Sequence, residues 1–385
     1  MKKLIQKKSK ISGKRRPIVL ITMALYPPYA GGGPTYFSTL VNILKEKVDF
    51  IILTQSCHGT KTIEKEDNVW IYRIQPYIMY FPFFIKYLII PPITFLPMLY
   101  FWVKYRPIVH AHTSGVYGFV PALFSAMFQA PILKEVQDMA DPAFNLKTGR
   151  VIKYISTGKT IERKLVKLGI PKKNVITYTS LVPPLTKAEE KKLKNAKRKK
   201  SKFTEVICVS ALRESKGIDT LLGAFKLIEA QRKDVHLTLI GEGGLKNEAE
   251  KFIQDNNLKN ITMIDRVDDY VDLLIEMVNS DILVLSSRSG EGNPRVILEV
   301  WKFKKPVIAT AVGGTPDIVK DGATGILVPP ENPKAFAKAV MRLVDDKKLQ
   351  KKLGENGKEY VDNIPSWYDL SEELYGEYIK LWPIK

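Results

Sequence analysis

Glu205-Val-Ile-Cys-Val-Ser-Ala-Leu-Arg-Glu-Ser-Lys-Gly217 opens on an apolar, β-branched run and ends on a glycine just ahead of the amphipathic stretch Ile218 to Ala230. That order predicts a buried strand over 205–210, a short loop, and a helix from 218 to 230. Lys216 then stands at a helix N-terminus, where a cation opposes the helix dipole. A bound anion would give it a reason to be there, and Arg213 is near enough to join it; a solvent-exposed lysine is the plainer reading of the same residue.

The pattern repeats outward. Strand-like runs near 234–240, 260–265, 281–286, 306–310 and 325–328 have helix-like stretches between them. Ahead of residue 205, runs at 17–24, 48–54, 68–74, 107–111 and 131–136 alternate with helical spacing at 34–47, 84–105 and 115–129. A strand at 151–156, a helix at 159–168 and a strand at 174–179 complete that series. Such β/α alternation predicts parallel sheets with helices on their faces. At 385 residues the chain exceeds the size of one hydrophobic core, so two domains are expected. The expected divisions are a basic tail at 1–16, a domain at 17–184, a lysine-rich linker at 185–202 that is helix-compatible but polar nearly all round, a domain at 203–364 and a closing segment at 365–385. In that segment Trp367, Leu370, Leu374 and Tyr378 form an apolar stripe expected to pack between the domains. Doubly wound domains gather ligands at the C-terminal ends of their strands, and the candidate loops all follow strands.

One such loop is Glu291-Gly-Asn-Pro-Arg-Val-Ile-Leu-Glu299. Asn293 is suited to cap a helix and Pro294 to its first position, which puts Glu291 in the loop and Glu299 inside the helix. Carboxylates only accept hydrogen bonds, so two of them fit vicinal hydroxyls of a ribose and a hexose, with the helix N–H groups fitting phosphates. A hydrolytic acid/base pair is disfavoured: such carboxylates stand about 5 to 9.5 Å apart, and eight helical steps span roughly 12 Å. Gly31-Gly32-Gly33 and Gly313-Gly314-Thr315-Pro316-Asp317 each follow a strand and open a helix, so their backbones can approach a ligand or simply make a tight turn. His110 and His112 end a strand and point the same way. With Asp138 nearby they form a polar cluster in a cleft or, on the plainer reading, partly buried histidines; with four histidines in all and no Asp-x-Asp, no metal site is expected.

The net charge is +20, of which residues 1–16 supply +8 and residues 186–202 supply +7. Basic runs of this kind are solvated tails or anion-seeking patches. The aromatic, apolar stretch 77–102, broken by Pro82, Pro91, Pro92 and Pro97, is a poor spanning helix and a better interfacial or core one. Peripheral contact with an anionic membrane through 1–16, 77–102 and 187–202 is therefore expected. Nucleic-acid binding is not, since the charge lies in tails and not on an aromatic-lined face. A secretory reading of the N-terminus is set aside because Ile18 to Leu25 makes a good first strand. Cys57 and Cys208 are too few for a disulfide framework and suit the cytoplasm.

In order and spacing, the motifs Val209-Ser-Ala-Leu-Arg-Glu-Ser-Lys216-Gly217, Ile240-Gly-Glu-Gly243, Glu291 to Glu299 and Pro306 to Asp317 resemble the retaining glycosyltransferases of the family 4 type. The resemblance is strongest from Val206 to Val340, and Gly31 to Gly33, His110-Ala-His112 and Ser366-Trp367 extend it. It implies a GT-B fold: two facing Rossmann-like domains and a C-terminal helix crossing back to the first. It also implies a nucleoside diphosphate sugar as donor substrate with no cofactor required, and a glycan or lipid-linked acceptor. By resemblance Glu291 contacts the donor sugar, Glu299 the ribose and Lys216 the diphosphate. Gly32 and Gly33 approach the phosphates, and Gly292, Asn293, Gly313 and Gly314 frame the sugar. Ala211 stands where the family usually has arginine, leaving Arg213 as a stand-in. Gln137-Asp138 stands where many members have His-Asp, and the stretch 138–151 is short, so acceptor recognition does not carry over. Two other readings remain: a sugar-nucleotide epimerase or hydrolase on the same fold, or a non-catalytic binder of sugar nucleotides or anionic surfaces.

Overall fold

The computed structural model describes residues 16–27, 32–56, 59–75, 83–113, 115–137, 143–179, 181–196, 198, 200–267 and 269–382. Residues 1–15 of the basic tail, Gly31, Cys57, 77–82 of the apolar stretch and Asp138 lie outside them. The chain divides into two compact units, one comprising residues 1–157, 161–178 and 365–385, the other 158–160 and 179–364.

The first unit is built on an eight-stranded sheet ordered β3-β4-β2-β1-β5-β6-β7-β8. Its strands are β1 (Ile18–Thr22), β2 (Asp49–Gln55), β3 (Ile63–Glu66), β4 (Val69–Gln75), β5 (Ile108–His112), β6 (Pro131–Val136), β7 (Arg150–Ser156) and β8 (Val175–Thr177). All pairings are parallel except β3 with β4. Ile-Val-Leu-Ile-Thr and Asp-Phe-Ile-Ile-Leu-Thr-Gln are apolar on both faces because helices cover both. The helices are α1 (Gly32–Leu44), α2 (Phe83–Tyr105), α3 (Gly115–Phe128), α4 (Ala143–Lys147) and α5 (Lys159–Lys167), the first two residues of α5 being grouped with the second unit. β3 carries no apolar run: Ile-Glu-Lys-Glu is a charged edge strand, a composition that discourages pairing with other chains. Lys134, in the middle of β6, is buried and donates to the carbonyls of Asn145 (2.5 Å), Leu146 (3.1 Å) and Thr148 (2.5 Å), satisfying the C-terminal end of α4. Arg16 is not a free tail cation: it is buried 4.0 Å from Asp49, whose carboxyl burial pushes up to about 6.

The second unit holds a fully parallel sheet ordered β11-β10-β9-β12-β13-β14, formed by β9 (Thr204–Val209), β10 (Val235–Ile240), β11 (Ile261–Ile264), β12 (Ile282–Leu285), β13 (Val307–Thr310) and β14 (Ile326–Val328). This is the doubly wound order, reversing direction between β9 and β12. Its helices are α6 (Lys187–Asn195), α7 (Ile218–Gln231), α8 (Lys246–Asp255), α9 (Tyr270–Asn279), α10 (Arg295–Trp301), α11 (Thr315–Ile318), α12 (Pro333–Asp345) and α13 (Lys347–Asn363). The expected linker is thus part helix. A Thr186/Glu189 capping box starts α6, Leu193 packs on the core of this unit, and Lys192 pairs with Asp269 (3.2 Å) and Asp272 (2.6 Å).

The chain's last helix, α14 (Trp367–Leu381), belongs to the first unit and starts with a Ser366/Asp369 capping box. Two members of its stripe, Trp367 and Tyr378, pack on the first unit. Trp367 lies 5.4 Å from the Tyr36 ring of α1, and the Tyr378 hydroxyl bonds His110 Nδ1 at 2.7 Å. His110 is wholly buried there, and burial, with His112 beside it, drops its pKa to about 3. Tyr378→Phe should therefore cost about 1–3 kcal/mol by leaving a buried imidazole nitrogen unpaired, measured by urea unfolding. Because an unfolded histidine takes its proton near pH 6.5 and the folded one only near 3, His110's contribution is full above pH 6.5. As pH falls from 6.5 toward 3, stability should drop by up to about 1.4 kcal/mol per pH unit.

Candidate active site

The reversal of strand order between β9 and β12 brings together the loops that follow those two strands. Lys216 comes from the first and Glu291 from the second, and Lys216 Nζ lies 2.5 Å from Glu291 Oε1. The Ser287 hydroxyl donates to the same carboxylate oxygen. Glu291 is buried, so its charge needs these partners. The backbone locks the pairing: Ser286 Oγ donates to the Lys216 carbonyl (2.9 Å), and Arg288 N–H donates to Ser215 O (2.8 Å). Glycine is the only residue type this packing admits at position 217. Its φ is +59°, and a Cβ there would stand 2.2 Å from Ser286 O.

A third loop closes over the second. Gly314 N–H donates to Glu291 O at 2.7 Å, and Cβ atoms at Gly313 and Gly314 would stand 2.0 and 1.7 Å from the Glu291 and Gly292 carbonyl oxygens. These glycines are needed for that contact between backbones. Asp317, at the start of α11, accepts the Thr160 hydroxyl, residues 158–160 being grouped with this unit. Cys208, beneath Lys216 in β9, is a buried thiol that burial pushes up to about 12, so it is protonated and inert.

Asn293 does not cap α10. Pro294 holds the N-cap position with no side-chain bond, and the helix begins at Arg295. Proline's fixed φ already sets the entry, and Asn293 lies beside Gly158. Glu299 sits inside the helix as expected but keeps separate company. Its Oε1 accepts from Arg295 Nε (2.9 Å) and the Tyr270 hydroxyl (3.0 Å), and it is buried. Glu291 and Glu299 share no partner among these contacts. Arg213 begins the turn Glu214–Lys216 with its side chain exposed and joined to no other group among the described residues. The arginine signal at that position therefore does not converge on Glu291.

Sequence reasoning missed Ser287, Tyr270 and Arg295. Arg295 was legible as an i,i+4 partner of Glu299 on one helix face. Ser287 and Tyr270 reach the carboxylates only through tertiary packing and leave no spacing signal.

In the first unit the strand order reverses between β1 and β5, and there too the candidates gather. Gly32 and Gly33 are the first residues of α1 itself, ahead of the expected helix at 34–47, and His112 Nε2 lies 3.4 Å from where a Gly33 Cβ would be. Gln137 Nε2 bonds Glu135 Oε1 at 3.2 Å, and the Tyr178 hydroxyl donates to the same atom at 2.6 Å. Glu135, wholly buried, was not singled out from the sequence. His110 leaves this group, since its ring belongs to the packing of α14. No group of three or more His, Cys, Asp or Glu able to hold a metal occurs among the described residues.

Residues 189–360 match the family described as Glycosyl transferases group 1. An uncharacterised glycosyltransferase of Methanocaldococcus jannaschii is 38% identical over 159 residues, covering 41% of this chain and 43% of the relative. The capsular polysaccharide biosynthesis glycosyltransferase CapM of Staphylococcus aureus is 30% identical over 239 residues, covering 59% of each. The chain thus spans about half the length of the curated relatives it matches. Among solved structures, sucrose-phosphate synthase from Thermosynechococcus elongatus superposes with a TM-score of 0.80 at 20% identity over 96% of this chain and 100% of that one. Anabaena HepE, in complex with UDP and glucose, superposes with a TM-score of 0.72 at 16% identity over 95% and 100%. The fold is GT-B, and the match to the glycosyl transferases group 1 family lies within the second unit. Gly314→Ala should lift the third loop off Glu291, costing about 1–3 kcal/mol by thermal unfolding.

Proposed function

We propose that the protein is a retaining glycosyltransferase of the family 4 type. It would transfer a hexose-like unit from a nucleoside diphosphate sugar to a glycan or lipid-linked acceptor in the making of a polysaccharide, glycolipid or cell-surface glycan. The observation that carries this reading is the ion pair of half-buried Lys216 with buried Glu291 at the strand-order reversal of the second unit, roofed by Gly313 and Gly314. The two residues neutralise one another without ligand, and a donor offers each its own partner. Lys216 meets the diphosphate, and Glu291 accepts hydroxyls of the sugar. Glu299, already oriented by Arg295 and Tyr270, is assigned to the ribose. HepE binding UDP and glucose supports a nucleotide sugar as donor. In this reading the diphosphate departs from the face the acceptor enters, its leaving oxygen takes the acceptor's proton, and Lys216 stabilises the developing charge. The site works at the cytoplasmic face of the membrane.

Lys216→Ala should lower transfer by about a hundredfold or more, and Glu291→Ala should do the same. Glu291→Gln, which keeps volume and an acceptor oxygen for Lys216, separates lost chemistry from lost packing. Near-normal turnover in all three variants would defeat the assignment. Thermal unfolding with UDP-, GDP- and ADP-sugars identifies the donor as the one that raises the midpoint. Donor breakdown or isomerisation without any acceptor would favour a hydrolase or epimerase, and binding without turnover a non-catalytic protein.

A further inference from the structure

Helix α2 has an outer face that the rest of the first unit leaves uncovered. Leu88, Leu96, Tyr100 and Val103 are 80%, 65%, 52% and 70% exposed, and Pro92 is exposed between them. Steps of four and three residues place all five on one side of the helix, a stripe about 22 Å long. Every large hydrophobic side chain that is exposed among the described residues belongs to the first unit, and four of them are on this helix. We propose that this stripe is a membrane-docking surface that seats on anionic phospholipid, with α2 lying along the interface.

The inner face of the helix fixes that orientation. Ile90, Thr94, Met98, Phe101 and Trp102 are buried, and Gln75 Nε2 donates to Thr94 Oγ1 at 2.8 Å. The window Leu88–Tyr105 has a mean hydropathy of 1.3, enough to cross a membrane by composition, but crossing would strip this face from its core. Pro91, Pro92 and Pro97 also break the backbone hydrogen-bond ladder. Carbonyls freed in this way are costly in hydrocarbon and are hydrated at a headgroup interface.

Charge selects lipid as the occupant. No Asp or Glu occurs in α2, and two cations, Lys104 in its last turn and Arg106 just beyond it, lie over aromatic rings. Lys104 Nζ bonds the Tyr100 hydroxyl at 2.7 Å and lies 5.0 Å from the Tyr100 and Tyr105 ring centres, while Arg106 lies 4.9 Å from the Trp102 ring. Amphipathic rings with adjacent cations suit the headgroup layer of an anionic bilayer. The lysine-rich stretch 187–202 is the weaker seat, because Lys192 and Arg198 already pair with Asp269, Asp272 and Asp281.

The test is co-sedimentation of the full chain with phosphatidylcholine vesicles, with and without phosphatidylglycerol. Leu96→Glu combined with Val103→Glu should weaken vesicle binding by about tenfold or more. Lys104→Gln combined with Arg106→Gln should remove only the part that depends on phosphatidylglycerol. Both doubles change exposed or half-exposed residues, so their unfolding midpoints should match the wild type, and so should the midpoint shift given by a nucleotide sugar. Vesicle binding by the glutamate double equal to wild type would overturn the proposal. So would a wild-type dimer that the same double converts to a monomer, which would make the stripe a self-association face. Retention of the wild type in membranes through alkaline extraction would also overturn it, as the mark of a spanning helix.

Discussion

A lysine ammonium at the start of a helix, above a buried strand, needs a counter-charge, and Glu291 supplies it across 75 residues of sequence. The second unit can deliver that carboxylate because its strand order reverses between β9 and β12, so that the loops leaving those strands lie side by side. The other features of the site follow from holding the pair together. Gly217 is a glycine because Lys216 must turn against Ser286 O, and Gly313 and Gly314 are glycines because the next loop must lie on the Glu291 backbone. Electrostatics states the need, topology makes the meeting possible, and the glycines remove the side chains that would prevent it.

The first unit repeats the topological half of that logic without the charge pair. Its reversal between β1 and β5 gathers Gly33 and His112, with Gln137 beside them, and Gln137 in turn bonds a buried Glu135 held by Tyr178. These residues are hydrogen-bonding groups of mixed character and not opposed ions.

The strands were legible wherever a helix covered both faces, since Ile18–Thr22 and Ile282–Leu285 then read as unbroken apolar runs. β3 was not, because an edge strand such as Ile-Glu-Lys-Glu is protected by charge and loses the pattern that reveals interior strands. The lysine-rich stretch read as a helix-compatible linker; what was not legible is its docking, because α6 is held by its capping box, by Leu193 and by ion pairs to α9, contacts that a search for apolar periodicity does not weigh. In the site, Glu291 and Lys216 were each legible as candidates, but their contact rests on strand order, which local spacing does not encode. Asn293 shows the opposite limit. A good capping residue was present, yet Pro294 took the position, because the local rule has no knowledge of the loop that must pass Gly158.

His110 and His112 illustrate how one strand sends two identical residues to different ends. They share a face of β5, as alternation requires, and two residues of rise separate their surroundings. His110 lies deep enough for Phe37 and Tyr378 to enclose it, which holds it neutral and makes it a tie between the sheet and the chain's last helix. His112 reaches the strand's C-terminal end, where the chain turns and Gly33 approaches. Sequence period alone assigns both to the same role. The difference comes from α14, which covers the first position with Tyr378, so the placement of a helix some 270 residues away determines which histidine is structural.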